Sequence, residues 1–225
     1  MLVVLALFLV VADRVGVRLA QRQVARQLRT SAGLTSEPSV SITGWPFLTQ
    51  AVGGRYNRID LMTGSFRRGG VRLGSLTVSL RGVDLPLSKA LWGTVSAVPV
   101  AALTAYAVVT YADVASVGSL AGVSVIPSGS SVRVTARLTV LGKSVEVSTD
   151  STVRLSGRSV VITAQKLTVL GQSSSVLNNA LAGRLDLRVP IGSLPYGLAL
   201  TGVHVTAAGL VVDARSGPTV LSPYG

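Results

Sequence analysis

From Ser131 to Val140 the chain alternates without a break. Val132, Val134, Ala136, Leu138 and Val140 fall on one side, and Ser131, Arg133, Thr135, Arg137 and Thr139 on the other. A period of two is what a β-strand with one buried and one wetted face requires. Leu141-Gly142-Lys143 reads as a turn, and Val145, Val147, Val153 and Leu155 carry the alternation on. Ser156-Gly157-Arg158 then turns the chain into Val160 to Ala164. Such a run can only settle as an antiparallel meander.

Further strands are expected at Leu76 to Leu80, Leu185 to Val189, Leu198 to Val205 and Leu210 to Val212. Leu76, Val78 and Leu80 are out of phase with Val71 and Leu73, which predicts a bulge at Gly74. Ala90 to Ala112 carries no charge, yet Pro99 and the many β-branched residues argue against a membrane span. Val98 to Val109 reads instead as a strand apolar on both faces, one that needs cover on both sides. Short helices are expected at Ala112 to Ser119 and Ser174 to Leu181. The expected class is α+β: one strongly curved antiparallel β-sheet, an N-terminal helix and two short helices, with strand glycines giving the curvature.

The N-terminus is of another kind. Leu2 to Ala12 is uninterrupted apolar sequence, about 16 Å as a helix and about half of a hydrocarbon core. Its size suits a signal-peptide core or the tail of a signal anchor. The usual basic leader is absent before it, so the true start is expected upstream. Past Asp13, Arg14, Arg18, Arg22, Arg26 and Arg29 share one arc of about 120° of a helix, with Val17, Ala20, Val24 and Leu28 opposite. A basic amphipathic helix beside a greasy anchor either lies on a membrane or packs on its own domain. The expected division is residues 1–12 as signal or anchor remnant, 13–217 as a single domain, and 218–225 as a tail.

The chain of 225 residues has a net charge of +12, and arginine supplies most of it, because lysine occurs only at Lys89, Lys143 and Lys166. Guanidinium forks suit phosphate, so the partner is an anionic surface, phospholipid or nucleic acid. Aromatic residues are 4% of the chain, and no nucleic-acid reading module appears. Nucleic acid is therefore set aside in favour of lipid. There is no cysteine, which removes disulfides, thiolate metal sites and a cysteine lipid anchor. The one histidine, His204, has no acid near it in sequence and reads as structural or exposed. Gly142-Lys143-Ser144 imitates the end of a phosphate loop, but Arg137 stands where the first glycine is needed. The nine carboxylates suggest no acid/base pair. No enzyme activity, metal or cofactor is expected.

The densest local feature is Gly44-Trp45-Pro46-Phe47-Leu48-Thr49-Gln50, followed by Gly53-Gly54-Arg55-Tyr56-Asn57-Arg58-Ile59. It sets aromatic and apolar side chains beside a glycine-rich, arginine-bearing turn. Trp45, Phe47, Leu48 and Tyr56 are candidates to line or gate an apolar groove, and Arg55 and Arg58 to meet a headgroup phosphate. For Trp45 and Phe47 the alternative is ordinary core packing.

That block and several weaker ones occur in a set order. They are Ala12-Asp13-Arg14, Gly54-x-Tyr56-x-x-Ile59, Leu80-Arg81-Gly82-Val83, Thr110-Tyr111-Ala112-Asp113, Leu187-x-Val189-Pro190 and Thr201-Gly202-Val203. In these places the chain resembles the actinobacterial family of phospholipid-binding envelope proteins that includes lipomannan elongation factor A. The resemblance runs from about residue 12 to 215. It implies an exported, membrane-associated protein of the cell envelope or periplasmic space, with a fold similar to tubular lipid-binding proteins, the curved sheet wrapped around the N-terminal helix and leaving an apolar groove. It implies phospholipids as ligands, phosphatidylinositol among them, and a role in mannolipid or envelope biogenesis. It supplies no catalytic set. The alternative reading is a membrane-anchored scaffold that positions an envelope glycosyltransferase and has no internal lipid site.

Overall fold

In the computed structural model the described residues are 1–31, 34, 36–68, 71–86, 89, 97–117, 122–140, 143–169, 172–173, 186–191 and 194–222. Leu2–Ser31 is one continuous helix, α1, which runs through the expected boundary at Asp13 without a break. Leucine, alanine, arginine and glutamine favour helix, and no proline interrupts the run. The arcs read from the sequence are borne out. All five arginines are exposed, Val17 is buried, and Ala20, Val24 and Leu28 are partly buried.

The strands follow as β1 (Ser39–Thr43), β2 (Arg55–Thr63), β3 (Phe66–Arg68), β4 (Val71–Leu73), β5 (Ser75–Asp84) and β6 (Val98–Val109). Helix α2 (Phe47–Gly53) lies between β1 and β2, and α3 (Tyr111–Val117) follows β6. Then come β7 (Ser124–Ser128), β8 (Ser131–Val140), β9 (Lys143–Ser156), β10 (Ser159–Val169) and β11 (Gln172–Ser173). The described strands end with β12 (Leu187–Pro190), β13 (Ala199–Thr206), β14 (Gly209–Ser216) and β15 (Thr219–Leu221). Thr219–Leu221 lies within the segment expected as a tail, and it pairs with the start of β6 from Val100 to Val98. The helix expected at 174–181 and the turn residues 141–142 lie outside the described residues.

The class expected from the sequence holds: antiparallel strands, strongly wrapped but not closed, with an N-terminal helix. The strands are divided, however, where one sheet was expected. A seven-stranded sheet runs β1-β2-β5-β6-β14-β13, with β15 also on β6, and a six-stranded sheet runs β11-β10-β9-β8-β7, with β12 on β10. The third sheet is the small hairpin β3-β4.

Gly74 divides the β3–β4 hairpin from the seven-stranded sheet and is not a bulge. Its N–H donates to the Val108 carbonyl at 2.7 Å, and a Cβ there would come within 3.1 Å of the Thr110 side chain. The chain leaves one sheet at this glycine and enters another. That exit accounts for the phase break between Leu73 and Leu76.

Two apolar cores result. One lies between the sheets, where Val132, Val134, Val160, Ile162 and Val189 meet Val109, Leu210 and Val212, with Val114 of α3 beside them. The other lies under the helices, where Val17 of α1 and Phe47 and Ala51 of α2 meet Tyr56, Leu80, Val83, Val100 and Leu103. Three neighbouring strands of this second core slip their alternation at one row. Tyr56 and Ile59, Leu80 and Val83, and Val100 and Leu103 share the core although each pair is three residues apart. Gly82, at φ +58°, sits in that row, and a Cβ on it would lie 2.8 Å from the Ala101 methyl. A residue without a side chain lets the pleat change face there.

Candidate functional site

The Gly44–Gln50 block forms a compact corner around α2. Pro46 is extended at the helix N-terminus and makes no side-chain cap. The cap comes from another element: the Leu48 N–H donates to Asp13 Oδ1 of α1 at 2.8 Å. Asp13 is only 3% exposed. An acceptor carboxylate at this place meets both the unpaired N–H and the positive end of the helix dipole. Gln50 ties the corner together. Its Oε1 accepts from the Asn57 N–H at 3.0 Å, and its Nε2 donates to the Pro46 carbonyl at 3.4 Å. That amide lies over Gly44, where a Cβ would be 2.7 Å from Oε1 and 2.8 Å from Cδ, at φ +131°. Gly54 ends the helix in the left-handed conformation at φ 67°.

The six candidate residues separate into three pairs. Phe47 and Tyr56 are buried together, with ring centroids 6.3 Å apart and planes tilted by 34°. Burial raises the Tyr56 hydroxyl above the ordinary tyrosine value. Trp45 is 65% exposed, and Leu48, 36% exposed, lies beside Gly16 of α1. Arg55 and Arg58 are exposed on β2. Arg58 Nε bonds Asp60 Oδ1 at 2.8 Å, Arg58 stands opposite Arg81 of β5 in register, and Arg55 stands opposite Asp84. Core packing is thus the outcome for Phe47 and not for Trp45.

Several residues of this region escaped the sequence reading. Val52 is 84% exposed and shares the outer side of α2 with Leu48. Asp13 shows no local sign of its role in the sequence, because its partner lies 35 residues away. An open cleft of about 200 Å³ lies between α1 and the start of β1, lined by Arg18, Gln21, Arg22, Ala25, Glu37, Pro38 and Val40. The four-residue spacing of Arg18 and Arg22 signals a shared face, but not the wall opposite. Among the described residues, none of the five α1 arginines has a carboxylate within 4.0 Å. Their charge is unspent on the protein and available to an anion.

His204 does have an acid, across the hairpin and not along the chain: Nε2 lies 2.7 Å from Asp213 Oδ2. A Cβ on Gly202 would lie 2.8 Å from that same oxygen, so the pair bridges over a glycine. Among the described residues no group of three His, Asp or Glu could hold a metal ion. No helix among them is long and apolar enough to cross a membrane.

A family model described as LmeA-like phospholipid-binding matches residues 11–215. No curated protein and no solved structure matches the chain.

Proposed function

We propose, since the chain belongs to the LmeA-like phospholipid-binding family, that it is a non-catalytic phospholipid carrier or holder at a membrane of the cell envelope. The acyl chains lie in an apolar groove of the wrapped sheets, and arginines meet the phosphate. Anionic headgroups, of the phosphatidylinositol type, suit its charge, and mannolipid or envelope biogenesis is the process it serves.

The observation that carries this reading is the gradient along α1. Every large apolar residue from Met1 to Val11 is exposed, and exposed arginines, without a carboxylate partner among the described residues, follow from Arg14 to Arg29. Apolar atoms for the acyl region, then guanidinium groups for the phosphate level, match the layering of a bilayer surface. Of the candidate residues, Trp45 and Leu48 suit direct lipid contact, and Arg55 and Arg58 suit the headgroup. Phe47 and Tyr56 support them from beneath.

The full chain, purified from its own host, is expected to carry phospholipid at near one molecule per chain in native mass spectrometry with lipid extraction. A lipid-free chain that also ignores anionic vesicles would overturn the reading in favour of a scaffold for a glycosyltransferase. Replacing Arg55 and Arg58 together with Ala is expected to weaken binding to anionic vesicles about tenfold at low salt, at about 1 kcal/mol for each basic residue near the surface. Arg58 contributes the smaller share, because Asp60 already holds it. The difference shrinks as salt shortens the Debye length. Unchanged vesicle binding at low salt removes these two residues from the site.

A further inference from the structure

One exposed flank of α2 is apolar where a seven-residue helix on a protein surface should be polar. Phe47 and Ala51 face the core, as the period of a helix requires. The adjoining flank carries Leu48 and Val52, one turn apart and both exposed, and Trp45, two residues before the helix, is exposed as well. It is continuous with α1. A Cβ on Gly16 would lie 3.5 Å from Leu48 Cδ2 and 3.6 Å from the Phe47 ring, so α2 rests directly on α1 at this level. At the same level the outward side of α1 carries Val11, Val15 and Leu19, all exposed. With Val4 and Phe8, also exposed, these fall within about 80° of the helix circumference at 3.6 residues per turn. Arg14, Arg18 and Arg22 interleave with them and are unpaired among the described residues.

We infer that Trp45, Leu48 and Val52 form a second membrane-inserting element, held beside α1 so that the domain docks on an anionic bilayer through both helices together. This rests on the phospholipid reading above and adds to it the face that meets the membrane. Three features select a bilayer as the occupant. The face is apolar but edged with unpaired arginines, which complements acyl chains edged with phosphate. It carries Trp45, 65% exposed, the type of side chain suited to headgroup depth. It continues a fully exposed apolar helix end. The Leu48 N–H bond to Asp13 fixes α2 to α1, so the two dip as one body.

The test uses the full chain and vesicles of phosphatidylcholine with phosphatidylglycerol. Trp45→Ser with Val52→Ser is expected to reduce partitioning about tenfold, in keeping with the loss of two exposed apolar side chains from a bilayer. Both side chains are mostly exposed, so the urea unfolding midpoint should match the parent. In a Trp92→Phe background, Trp45 is the single tryptophan. Its emission is expected to shift to the blue on vesicle addition, and brominated acyl chains should quench it. The inference is overturned if the double variant partitions like the parent, or if Trp45 stays open to aqueous acrylamide when vesicles are saturating. It is also overturned if vesicles leave Trp45 unmoved while the parent sediments as a dimer that the double variant abolishes; the face then joins two copies. Phospholipid co-purifying at one per chain beside any of these outcomes leaves the family reading standing and removes only the docking face.

Discussion

Gly209→Ala is expected to destabilise the protein by about 4 kcal/mol, from backbone strain of about 1–3 kcal/mol added to a backbone clash of similar size. Gly209 opens β14 at φ +149°, a conformation that side chains avoid. Its carbonyl accepts from Thr206 Oγ1 at 2.8 Å, which closes the β13–β14 hairpin. A Cβ there would fall inside any permitted distance of the Val109 carbonyl oxygen, at 3.0 Å from the Val109 carbonyl carbon and 3.1 Å from Thr110 Cα. These are main-chain atoms of the neighbouring strand, so no side chain can turn aside. Separating β14 from β6 here also opens the core, because Leu210 and Val109 are opposed in register and both buried.

Gly157→Ala supplies the control. Gly157 has φ +58° in the β9–β10 turn, with nothing within 4 Å of a Cβ. It should cost only about 1 kcal/mol of left-handed strain. Urea unfolding followed by circular dichroism measures both. At a slope of about 2 kcal/mol per molar urea, Gly209→Ala moves the midpoint down by about 2 M and Gly157→Ala by about a quarter of that. Equal shifts would show that the close approach to Val109 carries no weight.

The parts of this fold legible in the sequence are those set by local period. The alternation from Ser131 onward marks β8 and β9 nearly to their ends and the first half of β10, up to the irregularity after Ala164, because a one-residue slip would turn every valine to water. The arginine arc marks the outward face of α1 for the same reason at a period of 3.6. What could not be read depends on where separate elements meet. Nothing local distinguishes a glycine that bulges a strand from one that lets the chain change sheets, and Gly74 is the second kind. Nothing in Gly217-Pro218 shows that Thr219–Leu221 will find the free start of β6.

The candidate site divides in the same way. Gly44 to Gly54 stood out because tight geometry there demands special residues, and Gln50 over Gly44 supplies the demand. Which of its apolar side chains face inward follows from the seating of α2 on α1. Trp45 and Phe47 lie two residues apart, yet one meets solvent and the other the core. His204 shows the limit most simply. Its acid partner, Asp213, becomes a neighbour only once the hairpin has folded.

Asp13→Ala is expected to lower stability by about 2–3 kcal/mol and to undo α2 more than any other element. A hydrogen bond to a charged carboxylate contributes about 1.5–3 kcal/mol, and the loss of this part-buried one leaves the Leu48 N–H without that acceptor. A seven-residue helix is far too short to hold by itself, so its persistence depends on support from its neighbours. Asp13 Oδ2 is buried without a partner, which means that this carboxylate sits in a place that does not otherwise favour it. Its being there argues that the bond to Leu48 outweighs that cost. Asp13→Asn keeps an acceptor oxygen and should recover about half of the loss, the remainder reflecting the charge near the helix N-terminus. Chemical unfolding measures the totals, and amide exchange at residues 47–53 locates the effect. If Asp13→Ala unfolds within about 0.5 kcal/mol of the parent, within the range of an ordinary surface change, the carboxylate does not hold α2. If it is destabilised with exchange at 47–53 unaltered, the loss lies within α1 alone. The expected pattern, faster exchange in α2 and weaker partitioning to anionic vesicles in one variant, would tie a buried carboxylate to a membrane-facing surface it does not itself reach.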